Sequence, residues 1–160
     1  MRLTIAAVGR MKAGPERELV DRYFDRLKKA GPPLGLDYQG LCEHPESRLA
    51  TVPERRRDEA QRLAASLPDG AVRIVLDETG RLMTSEAFAE ALAGFRDGGQ
   101  RDLGLLVGGP DGHDESIRSG ADLVLSLGRM TFPHQIARIL LAEQLYRAVT
   151  ILAGHPYHRS

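Results

Sequence analysis

Leu103-Gly-Leu-Leu-Val-Gly-Gly-Pro-Asp-Gly112, followed ten residues later by Leu123-Val-Leu-Ser-Leu-Gly-Arg-Met-Thr-Phe-Pro-His134, is the stretch that decides the fold. Each half opens on a continuous apolar run rather than an alternating one, the pattern of a strand covered on both faces in a parallel sheet. Each run ends in a loop containing glycine, and each loop feeds a helix. Asp114 is placed to cap a short helix reaching Gly120, and Pro133 opens a long one that runs to Leu152 before Gly154.

The same alternation continues toward the N-terminus. Ala71-Val-Arg-Ile-Val-Leu76 reads as a strand after the turn Pro68-Asp-Gly70, and Asp77-Glu-Thr-Gly80 reads as a loop. Thr84 or Ser85 caps a helix to about Phe95, with Phe88, Leu92 and Phe95 on one side and Gly98-Gly99 as its breaker. Residues 54–67 form a charged helix with Ala60, Leu63, Ala64 and Leu67 on its apolar side, after a loop from Pro45 to Pro53. Residues 36–41 are a weaker strand candidate. Pro15 starts a helix carrying Leu19, Val20, Tyr23, Phe24 and Leu27 at helical spacing, stopped by Gly31-Pro-Pro33. Leu3-Thr-Ile-Ala-Ala-Val8, ending at Gly9, is the first strand. Strands alternating with helices define an α/β fold, a mostly parallel sheet with helices on both faces. The 160 residues contain no repeat and no long linker, so one domain spanning 1–160 is expected.

Composition narrows function mainly by exclusion. Lys plus Arg and Asp plus Glu number 22 each, so no overall positive field draws in nucleic acid, and any RNA contact must be local. Cys42 is the only cysteine, which leaves no intrachain disulfide and no cysteine metal cluster. The opening apolar run is too short for a signal h-region or a membrane span, so a cytoplasmic protein without a membrane partner is expected.

Ligands of open α/β sheets bind beyond the carboxyl ends of the strands, which is where both glycine loops fall. The loop at 108–112 is not followed by Gly-Lys-Ser or Gly-Lys-Thr, and it lacks the Gly-x-Gly-x-x-Gly spacing, so neither nucleotide motif applies. Four of the five histidines, His113, His134, His155 and His158, lie in the last third. His155 and His158 have metal-like spacing, but no cysteine or third ligand stands near them, and no metal is expected. The terminal His155-Pro-Tyr-His-Arg159 is instead a stiff, aromatic, cationic segment suited to a base and a phosphate. The long helix carries two apolar stripes, Ile136, Ile139 and Leu140 on one and Ala137, Leu141, Leu145, Ala148 and Leu152 on the other. Either a second subunit covers one stripe, making a homodimer, or the helix is buried wholly within the chain. Arg55-Arg-Arg57, interleaved with Glu54, Asp58 and Glu59, reads as a solvated helix face.

Taken in order, the segments Leu76-Asp-Glu-Thr-Gly80, Ser85-Glu-Ala-Phe-Ala89, Gly108-Gly-Pro-Asp-Gly-His113, Met130-Thr-Phe-Pro-His134, Glu143-Gln-Leu-Tyr-Arg-Ala148 and His155-Pro-Tyr-His-Arg159 closely resemble the ribosomal RNA large-subunit methyltransferase H family. The likeness runs over essentially the whole chain and is strongest after Leu103. The resemblance implies a SPOUT-class fold with a C-terminal trefoil knot, the cofactor-binding and knotted part covering about 71–160, and a homodimer. It implies S-adenosylmethionine as methyl donor and N3 of a pseudouridine in helix 69 of 23S ribosomal RNA as acceptor, on the assembled 70S ribosome and not on DNA. Carried over by residue, Leu76, Gly108 and Gly109 border the cofactor, and Gly128, Arg129, Met130, Thr131, Phe132 and Pro133 wrap it. The family commonly has serine where this chain has Gly128, so backbone contacts are expected there. His158 or His155 is the expected proton acceptor and Arg159 the expected phosphate or anion contact. Alternatives on the same resemblance are a SPOUT methyltransferase of another ribosomal or transfer RNA site, or a non-catalytic ribosome-associated binding protein.

Overall fold

Successive apolar residues on each inner strand point to opposite faces, and that alternation builds the molecule outward from its sheet. The computed structural model describes residues 1–158. Five parallel strands, β1 (Arg2–Val8), β2 (Asp37–His44), β3 (Val72–Leu82), β4 (Asp102–Val107) and β5 (Leu123–Ser126), pair in the order β2-β1-β4-β3-β5. Leu3, Ile5, Ala7, Ile74, Leu103 and Leu105 meet Val20, Phe24 and Leu27 of α1 (Pro15–Ala30), Phe88 and Leu92 of α3 (Ser85–Asp97), and Leu141 and Leu145 of α5 (His134–Leu152). The alternate residues Ala6, Val8, Val75 and Leu106 form a second core with Ala60 and Leu63 of α2 (Val52–Ala65) and Ile117 of α4 (Glu115–Ser119). The fold is therefore the expected α/β architecture, with helices on both faces. Among the described residues no helix is long and apolar enough to cross a membrane.

Three elements differ from the sequence expectation. Helix α2 starts at Val52 rather than 54, because Thr51 and Glu54 form a capping box: Glu54 N donates to Thr51 Oγ1 at 3.3 Å and Thr51 N donates to Glu54 Oε2 at 3.0 Å. Strand β2 runs on to His44, since pairing with β1 continues to Val8↔His44. The expected loop at 77–80 is instead part of β3, which shifts register after Leu76 and pairs Arg81 with Leu125 and Leu82 with Ser126. Gly80 makes this crossing possible. A Cβ there would lie 2.7–2.8 Å from backbone atoms of Val124 and Leu125.

The two apolar stripes of α5 meet different fates within the chain. Leu141, Leu145 and Ala148 are buried in the core, and Ile139 packs partly against it, while Ile136 remains 38% exposed.

Candidate active site

Parallel strands bring three segments to one edge of the sheet: 77–79 past Leu76, 107–113 at the end of β4, and 127–132 beyond β5. They enclose a cavity of about 360 Å³, flanked by Arg56 of α2, Arg118 of α4, and His134 and Ala137 of α5. Its size falls in the range of small-molecule sites, about 300–1,000 Å³. Leu76, Leu125, Leu127 and Phe132 supply apolar wall, and Asp77, Thr79 and Arg118 supply polar groups.

The glycine loop is shaped by what packs behind it. A Cβ on Gly108 would lie 3.1 Å from His113 Nε2, and one on Gly109 would lie 2.8 Å from Val8 Cγ1. A side chain at 109 would require Val8 to shift, and one at 108 would require the His113 ring to give by a few tenths of an ångström, so glycine fits both positions best. The backbone itself then forms the cavity wall. Gly112 N donates to Gly109 O at 3.0 Å and Gly112 turns the chain at φ +78°. His113 is 8% exposed, and its Nε2–H donates to Leu76 O at 3.0 Å, tying the loop after β4 to β3. Burial lowers the proton affinity of this imidazole, an effect the Asp77 charge only partly opposes, so the ring is neutral near pH 7.

The basic run on α2 is exposed at Arg56 and Arg57, but it is more than the solvated face expected of it. Arg55 grips the Asp111 carboxylate through Nε at 2.7 Å and Nη2 at 3.3 Å, and Arg56 Nε donates to the Asp111 carbonyl at 2.6 Å. Two of the three arginines therefore fix the tip of the glycine loop, and Arg57 is exposed. Across the cavity, Asp77 accepts from Thr79 N at 2.9 Å and Thr79 Oγ1 at 2.6 Å. Burial raises the Asp77 carboxyl, but these hydrogen bonds and the nearby Arg118 charge outweigh it and hold the group below its ordinary range. Arg118 Nη2 donates to Thr79 Oγ1 at 3.0 Å, while its buried Nε has no hydrogen-bond partner and lies 3.7 Å from Asp77 Oδ2.

In the third loop Ser126 Oγ accepts from Gly128 N at 3.2 Å and donates to Gly128 O at 2.9 Å. Gly128 has φ +153°, and a Cβ there would approach the Phe132 ring at 3.6 Å. Of the expected cofactor residues, Leu76, Gly108, Gly109, Gly128, Met130, Thr131 and Phe132 line the one cavity. Arg129 and Pro133 belong to the same loop but do not line it. Asp77, Thr79, Arg118, His113 and Arg56 are site residues that sequence reasoning did not single out. Arg118 carries no sequence signal and Arg56 reads only as part of a solvated basic run, since both arrive at the site through tertiary packing. Asp77 stood directly beside Leu76, and His113 closed the Gly108–His113 segment that carries the family resemblance.

The terminal histidines lie elsewhere in the chain. His158 Nε2–H donates to Glu86 Oε1 at 2.5 Å, and its Nδ1 accepts from Arg147 Nη1 at 3.2 Å. His155 is exposed, and its Nδ1 accepts from Tyr157 N at 3.1 Å. Neither lines the cavity. Arg159 lies outside the described residues.

Comparison with known proteins gives the class first: the family described as predicted SPOUT methyltransferase matches residues 1–158. A relative from Brucella anthropi named ribosomal RNA large subunit methyltransferase H is 63% identical over 160 residues, covering all of both chains. One of the same name from Brucella abortus is 60% identical over 169 residues, again covering both completely. The chain belongs to the ribosomal RNA large subunit methyltransferase H family of SPOUT methyltransferases. Among solved structures, the SpoU methyltransferase AviRb from Streptomyces viridochromogenes, in complex with AdoMet, aligns at 15% identity and a TM-score of 0.45. That alignment covers 96% of this chain, which spans 61% of AviRb.

Proposed function

We propose that the chain, acting as one domain over 1–160, transfers a methyl group from S-adenosylmethionine to N3 of a pseudouridine in helix 69 of 23S ribosomal RNA. The substrate is the assembled 70S ribosome, and the enzyme is a cytoplasmic homodimer with the family's C-terminal trefoil knot. The observation carrying this reading is the convergence of Leu76, Gly108, Gly109, Gly128, Met130, Thr131 and Phe132, chosen from the family pattern, on one cavity.

The cavity suits the cofactor. Apolar walls at Leu76, Leu125, Leu127 and Phe132 accept an adenine ring, and the ionised Asp77 matches hydroxyl donors or a sulfonium charge. Arg118, which lines the cavity, offers a guanidinium to a carboxylate. When bound, S-adenosylmethionine supplies an activated methyl group. The chain's own part is to hold donor and acceptor in line, to exclude water and to take the N3 proton.

The terminal segment is assigned the proton and phosphate roles: His155 or His158 accepts the proton and Arg159 holds a phosphate or the deprotonated base. Within one chain both ring nitrogens of His158 are engaged, and the segment packs on Glu86 and Arg147, away from the cavity. The reading therefore requires the tail to leave these contacts, or a second protomer to deliver its tail to the cavity.

Mass spectrometry of ribosomal RNA from cells with and without the gene tests the reaction. The expected result is loss of one methyl group on a helix 69 pseudouridine. An unchanged ribosomal RNA, or a methyl group lost from transfer RNA instead, would overturn it. Calorimetry with S-adenosylmethionine tests the cavity separately, and absence of binding there would eliminate the enzyme reading.

A further inference from the structure

Residues 9–14 connect β1 to α1 and take no part in the cavity. Because β1 lies beside β4 and parallel to it, this loop emerges at the same sheet edge as the glycine loop, and Val8 lies directly behind Gly109. The loop is short, but it is held unusually firmly. Arg138 of α5, only 3% exposed, donates through Nη2 to the carbonyls of Val8 and, at 2.6 Å, Gly9. Its Nη1 donates to Glu43 Oε1 at 2.8 Å, and the same Glu43 oxygen accepts from Met11 N at 2.9 Å. Arg17 completes the clamp by donating to Glu43 Oε2 at 2.9 Å.

A buried guanidinium paired with a part-buried carboxylate is a costly way to fix a loop, since apolar packing could do it without desolvating charges. What the clamp achieves is a defined presentation. Met11 is buried, and the residues on either side of it, Arg10 and Lys12, are both exposed. Among the described residues neither cation has an ion-pair partner, whereas Arg17, Arg55, Arg118 and Arg138 are all paired. Glu46 approaches Gly9 without forming an ion pair with either cation. A net-neutral chain thus carries two uncommitted positive charges on a fixed platform next to its cavity.

We infer that the clamped loop at 9–14 is a phosphate-contact element, with Arg10 and Lys12 gripping the RNA backbone beside the nucleotide that enters the cavity. The inference rests on the proposed RNA substrate and adds a set of residues that positions it. Arg138 and Glu43 act through the loop and are positioning residues. Contacts of this kind orient RNA without reading its sequence, and each releases counterions, which makes binding salt-dependent.

The test compares binding to 70S ribosomes over a salt series for the parent chain, for Arg10→Gln/Lys12→Gln, and for Lys29→Gln/Arg101→Gln, which removes two exposed charges from the opposite sheet edge. In the first variant the slope of log affinity against log salt should fall by about 1.4 to 1.8, the value for two lost phosphate contacts. KM for ribosomes should rise far more than kcat falls. The Arg10→Lys/Lys12→Arg variant should restore the slope, and the control pair should leave it at the parent value. Equal changes in both Gln pairs would assign the effect to net charge and overturn the inference, as would an unchanged slope in the first. Salt-dependent ribosome binding without methyl transfer would defeat the proposed reaction and leave the loop standing. Normal methylation with a parental slope in the Arg10/Lys12 pair would do the reverse.

Discussion

His113 joins two cavity segments through a single hydrogen bond to Leu76 O, while its ring packs against Gly108. Alanine at 108 would bring a methyl group within 3.1 Å of that ring and force it to move. Loss of the bond is worth about 1 kcal/mol, so Gly108→Ala should weaken S-adenosylmethionine binding by about fivefold in calorimetry. The same imidazole makes stability depend on pH. Burial lowers its folded pKa, whereas an unfolded histidine titrates near 6.5. Below that pH the unfolded chain takes up a proton that the folded chain refuses, so stability falls as pH drops through about 6.5. His44 adds to this trend, through burial and the charges of Arg62 and Arg10. His113→Asn should cost about 1–3 kcal/mol near pH 7.5, and less at pH 5.5, where the native imidazole already opposes folding. Equal urea midpoint shifts at the two pH values would contradict a neutral His113. In the sequence this residue shows as one of four clustered histidines and as the end of the Gly108–His113 segment, with no role attached. Its role depends on Leu76, 37 residues away, which local spacing cannot reveal.

Element by element, what the sequence made legible follows from how local the deciding interaction is. All five strands and the five α-helices were readable from apolar periodicity, proline and glycine stops and caps such as Thr84 and Asp114, because those signals lie within each element. The segment 77–80 was misread because Asp-Glu-Thr-Gly carries turn chemistry. Pairing with β5 overrides it, and that pairing is known only once the sheet is assembled. Arg55 and Arg56 were misread for the same reason, since their partner Asp111 lies more than fifty residues away. Gly80 gives this argument a test. Gly80→Ala would drive a methyl group into the β5 backbone at 2.7–2.8 Å and should destabilise the chain by about 1–3 kcal/mol in chemical denaturation. Gly94, inside α3 with open space around it, is the opposite case. Gly94→Ala should stabilise by about 0.5–1 kcal/mol, because alanine loses less backbone entropy in a helix. Equal effects at the two sites would remove close approach as the reason for Gly80.

Among the described residues, the large exposed apolar side chains are Leu49 and Val52 around the start of α2 and three on the elements that supply the cavity's lining. Leu82 at the end of β3 is 51% exposed, Met130 in the third loop 77%, and Ile136 in the first turn of α5 38%. A chain that buries Leu141, Leu145 and Ala148 in its core gains nothing by leaving these in water, and an isologous dimer would cover them twice over. The homodimer proposed above should therefore use this surface, giving twice the 17.6 kDa chain mass in light scattering. A carboxylate introduced at 136 would be buried unpaired in such an interface. Ile136→Asp should weaken association by about 3–5 kcal/mol, a factor of hundreds or more. Ile136→Ala should weaken it much less. Because His155 and His158 do not line the cavity of their own chain, the two activities should then separate. If the partner delivers the tail, the monomeric Ile136→Asp variant keeps S-adenosylmethionine binding, since Ile136 is not among the lining residues, and loses methyl transfer to ribosomes. Mixing it with a Gly108→Ala chain that binds cofactor poorly should not restore transfer unless dimers re-form. A monomer that methylates ribosomes at the parental rate would place the tail's function within its own chain, and the contacts to Glu86 and Arg147 would then have to open during each turnover.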